Sequence, residues 1–299
     1  MRLATSGSVR RVDITLLVGA IEALRAEWAA LRFGADGALM NPVTGAPHPD
    51  LRLVEGRHRV PGARYELVTR TPVLEPDPAG QREAIQTGVT ETTSTAVLRT
   101  DDSRRLAVTI GDATQLWSVD VDMVHARLPR FDVAGRFDAT AMIAAEGVPG
   151  CLSRLLGGVA TGMATVDLSA IERRGRTKLV DASGRFNRFR GNGSVNVKTS
   201  ARTWDVTARA AVRGKGLGRL VMLFAGGRLR AAFDEATATF WDDAATAMDE
   251  AARDLARIGD LVATEGGVST VIHRLIWEEG YGDRLDAQLG TESQPRPRR

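Results

Sequence analysis

Cysteine is almost missing: Cys151 is the single one in 299 residues, so no internal disulfide can form. Its setting in GVPGCLSRLL gives it the character of a small apolar core group rather than of a nucleophile. Histidine is scarce as well. His48, His58, His125 and His273 stand far apart in the chain, none at the spacing that metal fingers use, and neither a metal nor a cofactor is expected. Lysine supplies only three of the 40 basic residues, a bias that a GC-rich genome produces without any selection for bidentate arginine contacts. No apolar run approaches the roughly 20 residues that span a bilayer. The opening MRLATSGSVRRVD has none of the segments of a secretory signal, and a cytoplasmic address is the expectation. A G-x-S-x-G elbow, a Walker sequence and a Rossmann fingerprint are all lacking.

What is present suffices for a real core. Apolar residues make up 43% and charged residues 26%, enough for one large domain or two small ones. Charge is unevenly spread: residues 173–230 hold 15 basic and 2 acidic groups, while residues 231–265 hold 2 basic and 9 acidic. A basic block thus runs directly into an acidic one.

The spacing Ile14, Leu17, Ile21, Leu24, Trp28, Leu31 predicts an amphipathic helix capped by Asp13 and ended by Gly34. Residues 35–62, rich in Gly, Pro, Asn and Asp, read as loops with at most a short strand near Leu51 to Val54. Strand alternation follows at Tyr65 to Val73, and the threonine-rich Ile85 to Arg99 has the two polar faces of an edge strand. Trp117, Val119, Val121 and Met123 alternate with Ser118, Asp120 and Asp122. Phe131, Val133 and Phe137 alternate with Asp132, Arg136 and Asp138, so these two runs are expected as antiparallel neighbours. Further strands are expected at Thr165 to Ile171, Thr177 to Ala182, Arg185 to Arg190, Ser194 to Ala201 and Thr203 to Arg213. After GKGLGR the period changes to that of a long helix reaching Gly259, and Ser269 can cap a further one.

The strand TWDVTARAAVRG, the turn KGLGRL and the helix RLRAAFDEATATFWDDAATAMDEAARDL, within residues of about 125–260, resemble the closing half of the helix-grip superfamily called SRPBCC or START-type. That resemblance implies an apolar ligand held between a curved sheet and the helix it wraps. The expected fold is therefore α+β, a curved antiparallel sheet packed against a long C-terminal amphipathic helix, with an additional N-terminal helix and strands. Residues 1–112 would form a separate unit or part of the same domain, 113–265 the sheet and long helix, 266–290 a short helix and 291–299 a disordered basic tail.

The leading functional expectation is non-catalytic binding of a hydrophobic small molecule or lipid, lined by Trp117, Val121, Phe131, Trp204, Val206, Phe233, Phe240, Trp241 and Met248. The same side chains would equally serve as solid core. Arg213, Lys215 and Arg219 around Gly214 to Gly218 could hold an anion, or the glycines could simply permit the turn. Asp120 and Asp122, with Asp132 and Asp138 across from them, are a conceivable carboxylate pair for acid–base or metal chemistry, although outward strand faces look the same. In GRFNRFRGNG, Phe186 is expected to share a face with Arg188 and Arg190, and Phe189 with Arg185, so that cations and aromatics form no consistent stacking platform. Two other classes stay open. One is a structural or assembly protein whose basic residues 173–230 meet an acidic partner, nucleic acid, an anionic membrane surface or another subunit; the other is a cyclase- or hydrolase-like enzyme using the same cavity.

Overall fold

Leu3, Thr5, Gly7 and Val9 alternate with Arg2, Ala4, Ser6 and Ser8, and this opening segment forms strand β1 (Arg2–Arg10) with its odd-numbered face turned inward. The structure is a computed structural model, which describes residues 1–75, 85–112, 116–140, 158–187, 189–215 and 240–289, with isolated positions between 216 and 239. Helix α1 (Thr15–Ala30) has Ile14 rather than Asp13 at its N-cap and Leu31 rather than Gly34 at its C-cap; Asp13 stands one residue earlier, where its carboxylate accepts from the Thr15 backbone N–H (2.9 Å) and hydroxyl (2.7 Å).

Eleven more strands follow: β2 (Ala38–Met40), β3 (Pro47–Glu55), β4 (Arg64–Glu75), β5 (Ile85–Asp101), β6 (Arg105–Asp112), β7 (Trp117–Val124), β8 (Arg130–Asp138), β9 (Val159–Asp167), β10 (Gly175–Phe186), β11 (Phe189–Thr199) and β12 (Thr203–Gly214). From β2 to β12 each pairs antiparallel with the next, and β1 returns to flank β12, so that one sheet carries all twelve. Its strands come from both sides of residue 112. Helices α2 (Phe240–Thr264), α3 (Val268–Trp277) and α4 (Tyr281–Leu289) follow among the described residues.

The helix-grip arrangement is overturned. The molecule is mainly a twelve-stranded antiparallel sheet, not a sheet wrapped on a long C-terminal helix. A helix about 10 Å wide covers roughly two strands spaced about 4.8 Å apart, and α2 accordingly serves one edge. Trp241, Ala244 and Met248 in its first turns pack on Val9, Val197 and Trp204. Its far half joins Leu16 of α1 and the following helices around Val262, Val271 and Tyr281. Nor does Gly259 end it: the helix runs on to Thr264, before Gly266 and Gly267 take left-handed backbone conformations.

Two other expectations change. Strand β5 is no edge strand, since β4 pairs from Ile85 to Val97 and β6 pairs from Ser94 to Asp101. Its first half, Ile85 to Thr93, has only β4 beside it among the described residues, which accounts for the polar residues on both faces. The glycines of GRFNRFRGNG do not break the chain either; β11 runs straight through Gly191 and Gly193, and the turn lies at Asn187 (φ 49°). Phe186 therefore pairs with Phe189 and Arg185 with Arg190, placing both rings on one face and both cations on the other.

The sheet bends around α1. Ile14, just before the helix, packs with the β1, β11 and β12 residues Val9, Val197 and Trp204, whereas Trp28 packs with Tyr65 of β4 and Leu98 of β5. Fourteen helical residues span about 21 Å; seven strand spacings in a flat sheet would span about 34 Å. The inner face is thus concave, with α1 lying across one end of it. Helix α3 secures α1 from behind: Glu27 accepts from Trp277 Nε1 (2.8 Å) and lies 2.9 Å from His273 Nδ1.

Candidate functional site

The concave face is apolar well beyond the part that α1 covers. Strand register sets Met123 beside Phe131, Val121 beside Val133, Val119 beside Gly135 and Trp117 beside Phe137. All are partly exposed, and Phe137 is 37% exposed. This apolar track runs along β7 and β8 for seven residues, about 20 Å.

Glycine forms a row across it. Gly135 of β8 pairs with Gly162 of β9, Gly162 with Gly184 of β10, and Gly184 with Gly191 of β11. Four successive strands thus lack a side chain at one level. Mid-strand glycine weakens a strand unless something approaches closely or the sheet bends there. Among the described residues nothing lies within 4 Å of a Cβ built at Gly135; at the other three, the nearest atoms at 3.3–3.8 Å are main-chain atoms of the neighbouring strands. Among the described residues the row is an open trench. Register places Phe137, Ala160, Phe186 and Phe189 along one side of it and Val133, Ala164, Ala182 and Gly193 along the other. With Trp117, Val119 and Val212 the trench forms a groove of about 540 Å³.

At the other end of the track lies a pocket of about 610 Å³ beneath α1, walled by Ile21, Leu24, Trp28, Leu106, Met123 and Phe131. Its polar groups are Glu22, Arg25, Arg59, Asp101, Asp102, Ser103 and His125. The Asp101 carboxylate, 5% exposed, accepts from Trp28 Nε1 and Arg59 Nε, both at 2.9 Å. Behind it, His58 Nε2 is 2.9 Å from the Trp28 carbonyl, which can only accept, so Nε2 carries the proton and Nδ1 accepts from the Tyr65 hydroxyl at 2.9 Å. Burial pushes His58 below the ordinary histidine value and Tyr65 above the ordinary phenol value. That set is closed on itself. His125 is not: its Nδ1 is buried with no partner among the described residues. Burial first, and then the Arg25 cation, hold His125 below its usual value, against the opposing Asp101 and Asp102 carboxylates.

The side chains named from sequence do not converge on one cavity. Trp204, Val206, Trp241 and Met248 meet in the cluster at the β1 edge, where Trp204 is buried as core. Trp117, Val121 and Phe131 lie on β7 and β8, about four to five strand spacings away from β12. Trp117 lines the groove, Phe131 lines the pocket, and Val121 sits on the track between them. Phe233 and Arg219 lie outside the described residues, as do Cys151, the side chain of Phe240 and the tail 291–299. Arg213 ends β12 on the outer face and Lys215 follows it, both exposed.

Asp122 and Asp132 do pair directly across β7 and β8. Arg105 binds Asp122, while Thr165 and then Arg130 bind Asp132, and these bonds hold both carboxyls below the usual range. They stay ionised in ion pairs, which removes a protonated carboxyl as general acid. No group of three or more metal-ligating side chains occurs among the described residues. None of their helices is long and apolar enough to cross a membrane.

The glycine trench and the Arg25–His125 pocket were not singled out from the sequence. The available signal was glycine inside alternating strand text, in FDVAGRFD, VATGMATV and DASGRF; only register shows that these glycines are neighbours. No protein family matches the chain, and neither a curated protein nor a solved structure is significantly similar to it.

Proposed function

We propose that the protein binds an elongated amphipathic molecule of lipid type, without transforming it, along the concave face of the sheet. The apolar part lies over β7–β11 in the glycine trench, alongside Trp117, Phe137, Phe186 and Phe189. The polar end lies beneath α1, where Arg25 offers a cation and His125 Nδ1 offers an unused hydrogen-bonding atom. The observation that carries this reading is the row Gly135, Gly162, Gly184 and Gly191, which among the described residues leaves an apolar surface uncovered beside an aromatic wall. Ligand sites are largely apolar concavities with a few placed polar groups, and this track has that composition.

The test is displacement of a fluorescent fatty acid from the purified protein. Gly135→Leu sets a side chain into open space without disturbing the pairing of β8. It should retain the wild-type melting temperature and weaken binding at least tenfold. Arg25→Ala should weaken the fatty acid but leave an uncharged long-chain alcohol nearly unaffected. A wild-type protein that takes up neither probe, or a Gly135→Leu variant that binds both as before, rules the proposal out.

A further inference from the structure

The outer face of the same strands carries a row that the ligand reading does not use. Adjacent to the glycine row, register runs Arg136 of β8, Thr161 of β9, Arg185 of β10, Arg190 of β11 and Arg213 of β12. Four of five successive strands thus present arginine at one level, across about 19 Å. Arg185, Arg190 and Arg213 stand directly opposite one another, at the separation where like charges destabilise a sheet. All four are exposed. Arg185 donates to the Thr161 hydroxyl at 3.0 Å, and no described carboxylate forms a salt bridge with any of them. Some basic residues elsewhere on this face are paired with acids: Arg105 with Asp122, Arg130 with Asp132 and Lys178 with Asp181. The nearest acids of the row's neighbourhood are Asp120, engaged by Thr109 and Arg99, and Asp138 at the end of β8. Among the described residues the row is a strip of positive charge that no carboxylate bridges.

Two apolar side chains stand among these cations. On β9, Val159 and Met163 flank Thr161 on the outer face and are 39% and 67% exposed. Phe186 and Phe189, the rings that a single-stranded nucleic acid would need for stacking, are on the opposite face. Cations ringing protruding aliphatic groups, with no aromatic platform, match an anionic lipid surface, where phosphates meet the guanidinium groups and the aliphatic groups enter the headgroup–acyl boundary.

We infer that the outer face of β8–β12 around Arg136, Arg185, Arg190 and Arg213 docks on an anionic lipid bilayer, with Met163 and Val159 entering its interface. The inference is independent of the groove, because docking is measured with no ligand added.

Cosedimentation of the full chain with vesicles tests it. Phosphatidylcholine vesicles containing phosphatidylglycerol should pull the protein down, pure phosphatidylcholine vesicles should not, and the binding should weaken as salt is raised. Each of Arg136→Gln, Arg190→Gln and Arg213→Gln should lower partitioning about fivefold, the worth of one basic residue at such a surface. Met163→Asp should lower it as well, while Lys178→Gln, away from the row, should leave it near wild type. Melting curves of the arginine variants should match or exceed the wild type, since like-charge repulsion is relieved. Equal binding to both vesicle types, or undiminished binding by the triple arginine variant, overturns the inference. So does tighter binding of a single-stranded oligonucleotide with the same arginine dependence, which would assign the strip to nucleic acid.

Discussion

A methyl group placed on Gly7 would lie 2.3–2.5 Å from the indole ring of Trp241, so β1 and α2 approach as closely as they do only because position 7 has no side chain. The indole is fixed there by its Nε1, which donates to Thr5 Oγ1 at 2.7 Å. Gly7→Ala must displace the ring or the strand, an overpacking that costs about 1–3 kcal/mol. Chemical denaturation should register that loss, with a changed tryptophan emission reporting the moved ring; a variant as stable as wild type would show that α2 is not seated on β1. Asp101 makes a comparable point by polarity. One nearly buried carboxylate oxygen holds both Trp28 and Arg59, and this is what anchors the end of α1 to β5.

Among the strands, the length of β5 conceals two different environments. Ala96 and Val97 pair on both sides, with β4 and β6, and Leu98 pairs with β6 and donates to the Ala63 carbonyl (2.8 Å), whereas Thr90 to Thr93 pair only with β4. A two-stranded ribbon is marginal by itself in water, and opening free energy falls where few apolar contacts restrain the backbone. Hydrogen exchange should therefore be faster at Thr90 and Thr92 than at Leu98, by orders of magnitude under native conditions. Uniform protection along β5 would mean that a further element covers the ribbon. The glycine row obeys the same logic of neighbours: each glycine weakens its own strand, but four of them side by side make a surface feature that no single strand possesses.

Over the whole molecule, acid should act in two stages. His58 and His125 are held below the ordinary histidine value by burial. The unfolded chain takes up those protons near pH 6.5 while the folded chain does not. Stability from the two histidines is thus fully present above about pH 6.5 and is lost as pH falls below it. Asp122, Asp132 and Asp102 are depressed by Arg105, by Thr165 and by the Arg104 and Arg105 amides respectively. Their contribution is present above about pH 4 and disappears as pH falls through their folded values. Melting temperature followed by circular dichroism should be level from pH 8 to 7, decline below 6.5 and decline again below 4. In His125→Gln the first decline should shrink; a wild-type profile flat from pH 7 to 5 would contradict the buried neutral histidines.

Local chemistry determined a good part of this protein. Asp13 before a helical period, the one-sided alternation of Trp117 to Met123 and Phe131 to Phe137, and the clean alternation of Thr203 to Arg213 were all legible, because each depends on residues a few positions apart. Strand β1 was not legible, since Ala4, Ser6, Gly7 and Ser8 have weak strand character and gain it from β12, about 200 residues later. The turn at Asn187 was hidden by the stronger turn text of Gly191 to Gly193, and with it the segregation of phenylalanine from arginine. Which apolar faces became core and which remained open was decided by the bending of one sheet around α1, for alternation states that a strand has two faces but not what lies over either. The trench, the unpartnered His125 nitrogen and the arginine row are products of register between distant strands, and register is a property of the assembled sheet.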